Sequence, residues 1–226
     1  MKKSRLLVAA TLSATLAACA TSPTGRKQLM LVSEQQAISA SRQAYVQEMG
    51  KYRQAGKLVD DPKLLRRVEV ITGRLVAQAV KIRPDSARWD WSVAIIDDPK
   101  AVNAWCMAGG RMALYTGLLR QVDPTDDELA QVMAHEIAHA LANHSAERMS
   151  VAMASQAGYD PRAAATLWQK MGAVGGGKAP PAFLSTHPSD QQRQQRLGAL
   201  ASKMMPYYQA PGTRPTHPVR VGAGAA

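Results

Sequence analysis

Aromatic residues make up only 5% of this 226-residue chain, a single phenylalanine among them, and there are just two cysteines. Two cysteines cannot build a disulfide framework. No apolar run reaches the roughly 18 residues that read as a membrane-spanning helix. Nor is there a run of five basic residues, although Lys+Arg outnumber Asp+Glu by 28 to 17 and the formal net charge is +11. With neither a basic arm nor an aromatic platform on which bases stack, the positive excess does not point to nucleic acid. What is present is 46% apolar and 20% charged residues, the balance of a globular chain and not of a disordered one. The length allows one ordinary domain.

Lys2, Lys3 and Arg5 precede an apolar and small-residue stretch from Leu6 to Ala18. A charged start, a short apolar middle and small residues at the end are the layout of a secretory signal peptide, residues 1–18. The stretch closes on Leu16-Ala17-Ala18-Cys19, which resembles the lipobox of bacterial lipoproteins. That resemblance implies a diacylated Cys19 as mature N-terminus. Ala20 follows it instead of the aspartate of inner-membrane retention, so the implied location is the outer membrane, facing the periplasm. Each buried CH₂ of the lipid contributes about 0.8 kcal/mol of membrane affinity. Loss of residues 1–18 leaves a net charge of +8, and an anionic lipid surface attracts such a body. Residues 19–32 then form the lipidated N-terminus and linker.

Ser33 with Gln36 reads as a capping box for a helix reaching about Gly56. Asp61-Pro62 starts a second, with Leu64, Leu65, Val68, Ile71, Leu75 and Val76 on one face; Arg83-Pro84-Asp85-Ser86 ends it. Trp89, Trp91, Val93 and Ile95 alternate as in a strand. A strand-like Val102–Met107 leads through Gly109-Gly110 to Arg111–Tyr115, and Gly117-Leu118-Leu119 opens a short helix. Thr125 and Glu128 cap a long helix expected from Asp126 to about Met153. Asp160-Pro161 caps another through Met171, and Ser189 begins a last one to about Lys203. The Pro-, Gly- and Ala-rich residues 206–226 read as a disordered tail. The expected fold is α+β, with more helix than strand and a small sheet or hairpin, in a domain spanning 33–205.

The long helix carries His135-Glu136-Ile137-Ala138-His139. Histidines four apart stand on one helix face, one turn above the other, and both imidazoles can reach one metal ion. Glu136 lies one residue round, where its carboxylate contacts a metal-activated water without ligating. This is the zinc hydrolase arrangement: the metal lowers the pKa of the water and polarises the carbonyl, and the glutamate moves the proton. Leu129, Val132, Met133, Ile137 and Leu141 supply the apolar residues that bury the helix.

Together with this motif, Asn103-Ala104-Trp105-Cys106-Met107-Ala108-Gly109-Gly110, Tyr115-Thr116-Gly117-Leu118-Leu119, Ala157-Gly158-Tyr159-Asp160-Pro161 and Phe183-Leu184-Ser185-Thr186-His187-Pro188 resemble one family. It unites the CAAX prenyl proteases, bacterial heat-shock membrane proteases and periplasmic metallopeptidase lipoproteins. The resemblance implies a mainly helical, zincin-like domain and a zinc metalloendopeptidase of the gluzincin type. It further implies one Zn²⁺ per chain and substrates among unfolded or misassembled envelope proteins. His135 and His139 are its metal ligands, Glu136 its catalytic base, and His187 a transition-state contact. Arg193 is a second candidate for hydrogen bonding to substrate or oxyanion; a solvated arginine on the last helix is the alternative. Asn103 with Gly109-Gly110 resembles the family's substrate edge, where an extended peptide adds as a strand; a plain hairpin whose glycines serve a tight turn is the alternative. Cys106 reads as a buried small apolar residue.

A tetrahedral zinc site needs a third protein ligand, which the family takes from a Glu-Ala-Asp signature absent here. The acidic residues after His139 are Glu147, Asp160 and Asp190. On one continuous helix Glu147 stands about 12 Å beyond His139, out of reach of the same ion. The chain reads as lacking an internal segment near Ser150–Ala157. The alternative function is accordingly an impaired relative that binds clients or a partner as a lipid-anchored module.

Overall fold

The computed structural model describes residues 19–21, 27–29, 33–142, 146–174 and 191–225. The signal-peptide segment, His144, His187, Ser189 and Asp190 lie outside the described residues. Near the N-terminus β1 (Cys19–Thr21) pairs antiparallel with β2 (Lys27–Leu29). The first helix, α1 (Glu34–Gln54), starts on the expected capping box: Ser33 Oγ accepts from Gln36 N, and Gln36 reaches back to the Ser33 amide. α2 (Pro62–Ile82) is capped by Asp61, with Pro62 at its first position, where a missing N–H costs nothing. Val68, Ile71, Leu75 and Val76 along it are buried.

A 3-10 turn, Pro84–Arg88, leads to β3 (Ser92–Ile96); β4 (Ala104–Cys106), β5 (Arg111–Tyr115) and β6 (Arg220–Val221) complete the sheet in the order β4-β5-β3-β6. β5 and β6 run parallel to β3, and β4 runs antiparallel to β5. The alternation expected of β3 is present, since Val93 and Ile95 face the main core with α2. The opposite face is covered too: Ala94 and Ile96, with Ala113 of β5, pack beneath Tyr45 and Met49 of α1. All five residues of the strand are therefore buried. Each fully buried Ile or Leu contributes about 1.5–3 kcal/mol relative to exposure, so this central strand anchors the helices on either side.

α3 (Thr116–Val122), α4 (Asp126–Leu141), α5 (Ala146–Gln156), α6 (Ala163–Ala173) and α7 (Gln191–Gln209) complete the described helices. Two expectations need correction. The helix from Asp126 to Met153 is not continuous: Ala142 is extended (φ −152°, ψ 126°), ending α4, and α5 packs back against it. Asp160 does not cap α6 directly; its carboxylate accepts from Arg162 N in the turn before the helix begins.

The C-terminal region also departs from the expected disorder. α7 passes through Pro206 to Gln209, where Leu197, Ala201 and Met204 bury its inner face. Arg214 then donates to the Tyr208, Ala210 and Gln156 carbonyls, satisfying acceptors at the ends of α7 and α5. Beyond it His217 N bonds to Gly73 O of α2, and the chain joins the sheet as β6. Among the described residues no helix is long and apolar enough to cross a membrane.

Candidate metal centre

α4 begins on a capping box in which Thr125 Oγ1 accepts from Glu128 N and Glu128 reaches back to Thr125 N. Glu128 is buried and tied to α6 through Thr166 Oγ1 (2.9 Å) and Lys170 Nζ (2.7 Å). Burial by itself raises the pKa of Glu128. The Lys170 ammonium, with the Thr125 amide and the Thr166 hydroxyl, outweighs it and holds the carboxyl below the usual carboxylate range. The N-terminus of the histidine helix is thus fixed by local capping and by contacts across to α6.

Further along α4, His135 and Glu136 are buried while His139 is exposed. The two imidazoles meet with Nε2 atoms 3.1 Å apart and ring planes at 90°. Two imidazole nitrogens bound at about 2.0–2.1 Å to one tetrahedral zinc stand about 3.3 Å apart, so the observed spacing is close to what a shared ion would need. Two adjacent imidazoles beside a buried carboxylate are a donor set that suits zinc. Among the described residues, no three His, Cys, Asp or Glu side chains gather closely enough to hold an ion.

A cavity of about 10 Å³, large enough for about one water, lies against this face. His135 and Glu136 line it, with Gln131 one turn earlier, Glu147 and Ser150 of α5, Trp168 of α6 and Arg193 of α7. Glu147 is here because the chain breaks at Ala142. The 12 Å separation expected along one helix does not apply, and the carboxylate opens onto the same cavity as the first histidine. It accepts from Arg193 Nε at 2.8 Å. Gln131 Nε2 donates to Asp160 O at 3.2 Å, joining the histidine helix to the Gly158-Tyr159-Asp160-Pro161 turn.

Of the remaining sequence candidates, Arg193 reaches the cavity, buried and ion-paired with Glu147, and His187 lies outside the described residues. β4 is an edge of the sheet and packs against α4. Asn103 O accepts from Tyr115 N, and its Oδ1 accepts from Ala104 N at 2.9 Å. For Gly109 and Gly110 the structure supports the tight turn. Both are buried at positive φ (88° and 84°), and Gly110 bonds to Met107 O and Ser92 N. A Cβ at Gly110 would lie 2.7 Å from the Trp91 ring. Glu147 and Trp168 were missed in the sequence. Trp168 carried one signal, its place beside Leu167 and Met171 on the buried side of α6.

The model of peptidase family M48 matches residues 62–155 and 145–201, two pieces that share residues 145–155. The mitochondrial metalloendopeptidase OMA1 of Arabidopsis thaliana is 30% identical over 152 residues, covering 47% of this chain and 31% of that protein. The human mitochondrial metalloendopeptidase OMA1 is 30% identical over 126 residues, 55% of this chain and 23% of its own length. The β-barrel assembly-enhancing protease of Yersinia pestis is 33% identical over 105 residues, 46% of this chain and 20% of its own length. The chain thus spans a third or less of each of these relatives.

Proposed function

The chain belongs to peptidase family M48, and from that premise we propose that it is a zinc metalloendopeptidase anchored by lipid in the bacterial outer membrane, cutting misfolded or misassembled envelope proteins. The observation that carries the reading is the pair of imidazole Nε2 atoms 3.1 Å apart with Glu136 buried beside them. His135 and His139 would hold the zinc, which supplies Lewis-acid polarisation of the scissile carbonyl and a lowered pKa of water. Glu136 takes the proton from the attacking water and hands it to the leaving amine nitrogen, a step worth about 10²–10⁴ in rate. β4 offers its outer edge to an extended peptide, with Asn103 occupying the Ala104 amide until substrate displaces it. The lipobox-like segment ending at Cys19 supports the anchor. The names of the Yersinia and Escherichia coli relatives, both β-barrel assembly-enhancing proteases, support the envelope.

The decisive experiment is cleavage of casein by the purified chain. Turnover lost to a chelator and to Glu136→Gln supports the reading; undiminished cleavage by metal-free protein overturns it.

One feature favours a second reading, a client-binding module of impaired activity: the Glu-Ala-Asp signature that supplies the third ligand is absent from the sequence. The two overlapping pieces of the family match fit a chain without an internal segment. So does the Arabidopsis alignment, whose 152 positions draw on only 47% of these 226 residues. A folded chain that binds unfolded polypeptide yet shows no chelator-sensitive turnover establishes this second reading.

A further inference from the structure

Arg193 is a buried cation, its side chain only 7% exposed. Glu147 accepts from its Nε at 2.8 Å, and its guanidinium carbon lies 3.7 Å from the centroid of the Trp168 ring. Trp168 in turn meets the His135 ring edge-on, with centroids 6.3 Å apart and planes at 79°. A single line of contacts therefore runs from α5 and α7, through α6, to the first histidine of α4.

Three physical points give that line a consequence. The terminal torsion of a histidine is broad and roughly two-fold, so its ring direction is set by what packs against it. Metal affinity depends on that direction, and loss of an orienting neighbour costs about 10–100-fold. A buried ion pair is a poor source of stability, because apolar residues of similar volume often do as well or better. Stability alone gives no reason for a guanidinium in this wall. Glu147 also cancels a positive charge that would otherwise oppose a cation at the histidines.

We propose that Arg193 is a positioning residue for the metal centre: held by Glu147, its planar guanidinium clamps Trp168, which keeps the His135 imidazole turned toward His139. The role rests on the reading of His135 and His139 as ligands. It differs from a substrate or oxyanion contact, because it acts on metal binding before any substrate arrives.

The test is zinc affinity by chelator competition, with the visible absorption of the cobalt-substituted protein as a second readout and thermal melting as the check on folding. Arg193→Leu and Trp168→Leu should each weaken zinc about 10-fold or more and alter the cobalt spectrum. Trp168→Phe keeps a flat ring and should stay near the parent in both. Arg193→Lys keeps a charge for Glu147 but no planar group for the tryptophan, and should remain as weak as Arg193→Leu. Parent-like affinity and spectrum in folded Arg193→Leu or Trp168→Leu overturn the proposal, as does full rescue by lysine. Should Arg193→Leu fail to fold, the lysine and Trp168 variants decide. A parent protein that binds no zinc defeats the ligand reading itself, a result distinct from a parent that binds and variants that bind equally.

Discussion

The Glu136 carboxylate on α4 stands close enough to Cys106 on β4 for its negative charge to act on the thiol. Burial pushes the Cys106 thiol well up, and Glu136 pushes it further. The histidine helix and the edge strand β4 are thereby in electrostatic contact. Since the thiolate is the nucleophile, Cys106 should stay protonated through neutral and mildly alkaline pH. Alkylation by iodoacetamide at pH 8 should be many-fold slower in the folded protein than after denaturation. Equal rates would mean that the thiol is neither buried nor beside the carboxylate.

Acid should loosen the same helix from its other end. The folded pKa of Glu128 lies below its unfolded value, so its contribution to stability is complete above about pH 4.3. It disappears as pH falls through the depressed folded value. Lys170→Met removes the cation that depresses it. This variant should begin its acid unfolding at higher pH than the parent, read by circular dichroism. Thr125→Ala, which removes the other half of the cap, should cost about 1 kcal/mol at neutral pH. Identical acid transitions in parent and Lys170→Met would contradict this account of α4.

What could be read in the sequence was local. The capping boxes at Ser33 and Thr125, Asp61-Pro62 and the histidine spacing each depend on residues within one turn of each other, and each stands where expected. What could not be read depends on tertiary contacts. Leu141-Ala142 holds neither glycine nor proline, and Asn143 and Ser145 are only weak boundary signals in the sequence; the packing of α5 against α4 completes the break. That break moves Glu147 to the cavity, a placement invisible to an argument from rise per residue. The residues after Pro206 have the composition of a disordered segment, yet Arg214 and the pairing of β6 with β3 fix them.

The C-terminal strap yields a test of its own. Arg214→Ala leaves acceptors at the ends of α5 and α7 without their charged donor and should cost about 2 kcal/mol. Gly158→Ala should also destabilise, because its φ is +89° and a Cβ would sit 2.9 Å from Arg214 Nε. Both are measured by urea unfolding. Midpoints unchanged in both variants would show that the strap does not hold these helix ends.

Anchoring at Cys19 is tested in the full-length chain expressed in a Gram-negative host. The parent should incorporate labelled fatty acid and fractionate with the outer membrane. Cys19→Ala should lose the label and move to the soluble periplasmic fraction. Labelling that survives Cys19→Ala would place the lipid elsewhere.

The most direct test of the central claim is the metal content of the purified chain lacking residues 1–18, by elemental analysis after dialysis against trace zinc. The account predicts about one zinc per chain, lost on replacing either His135 or His139 with alanine and retained in Glu136→Gln. A folded parent without zinc, or one whose zinc survives the loss of both imidazoles, would contradict it.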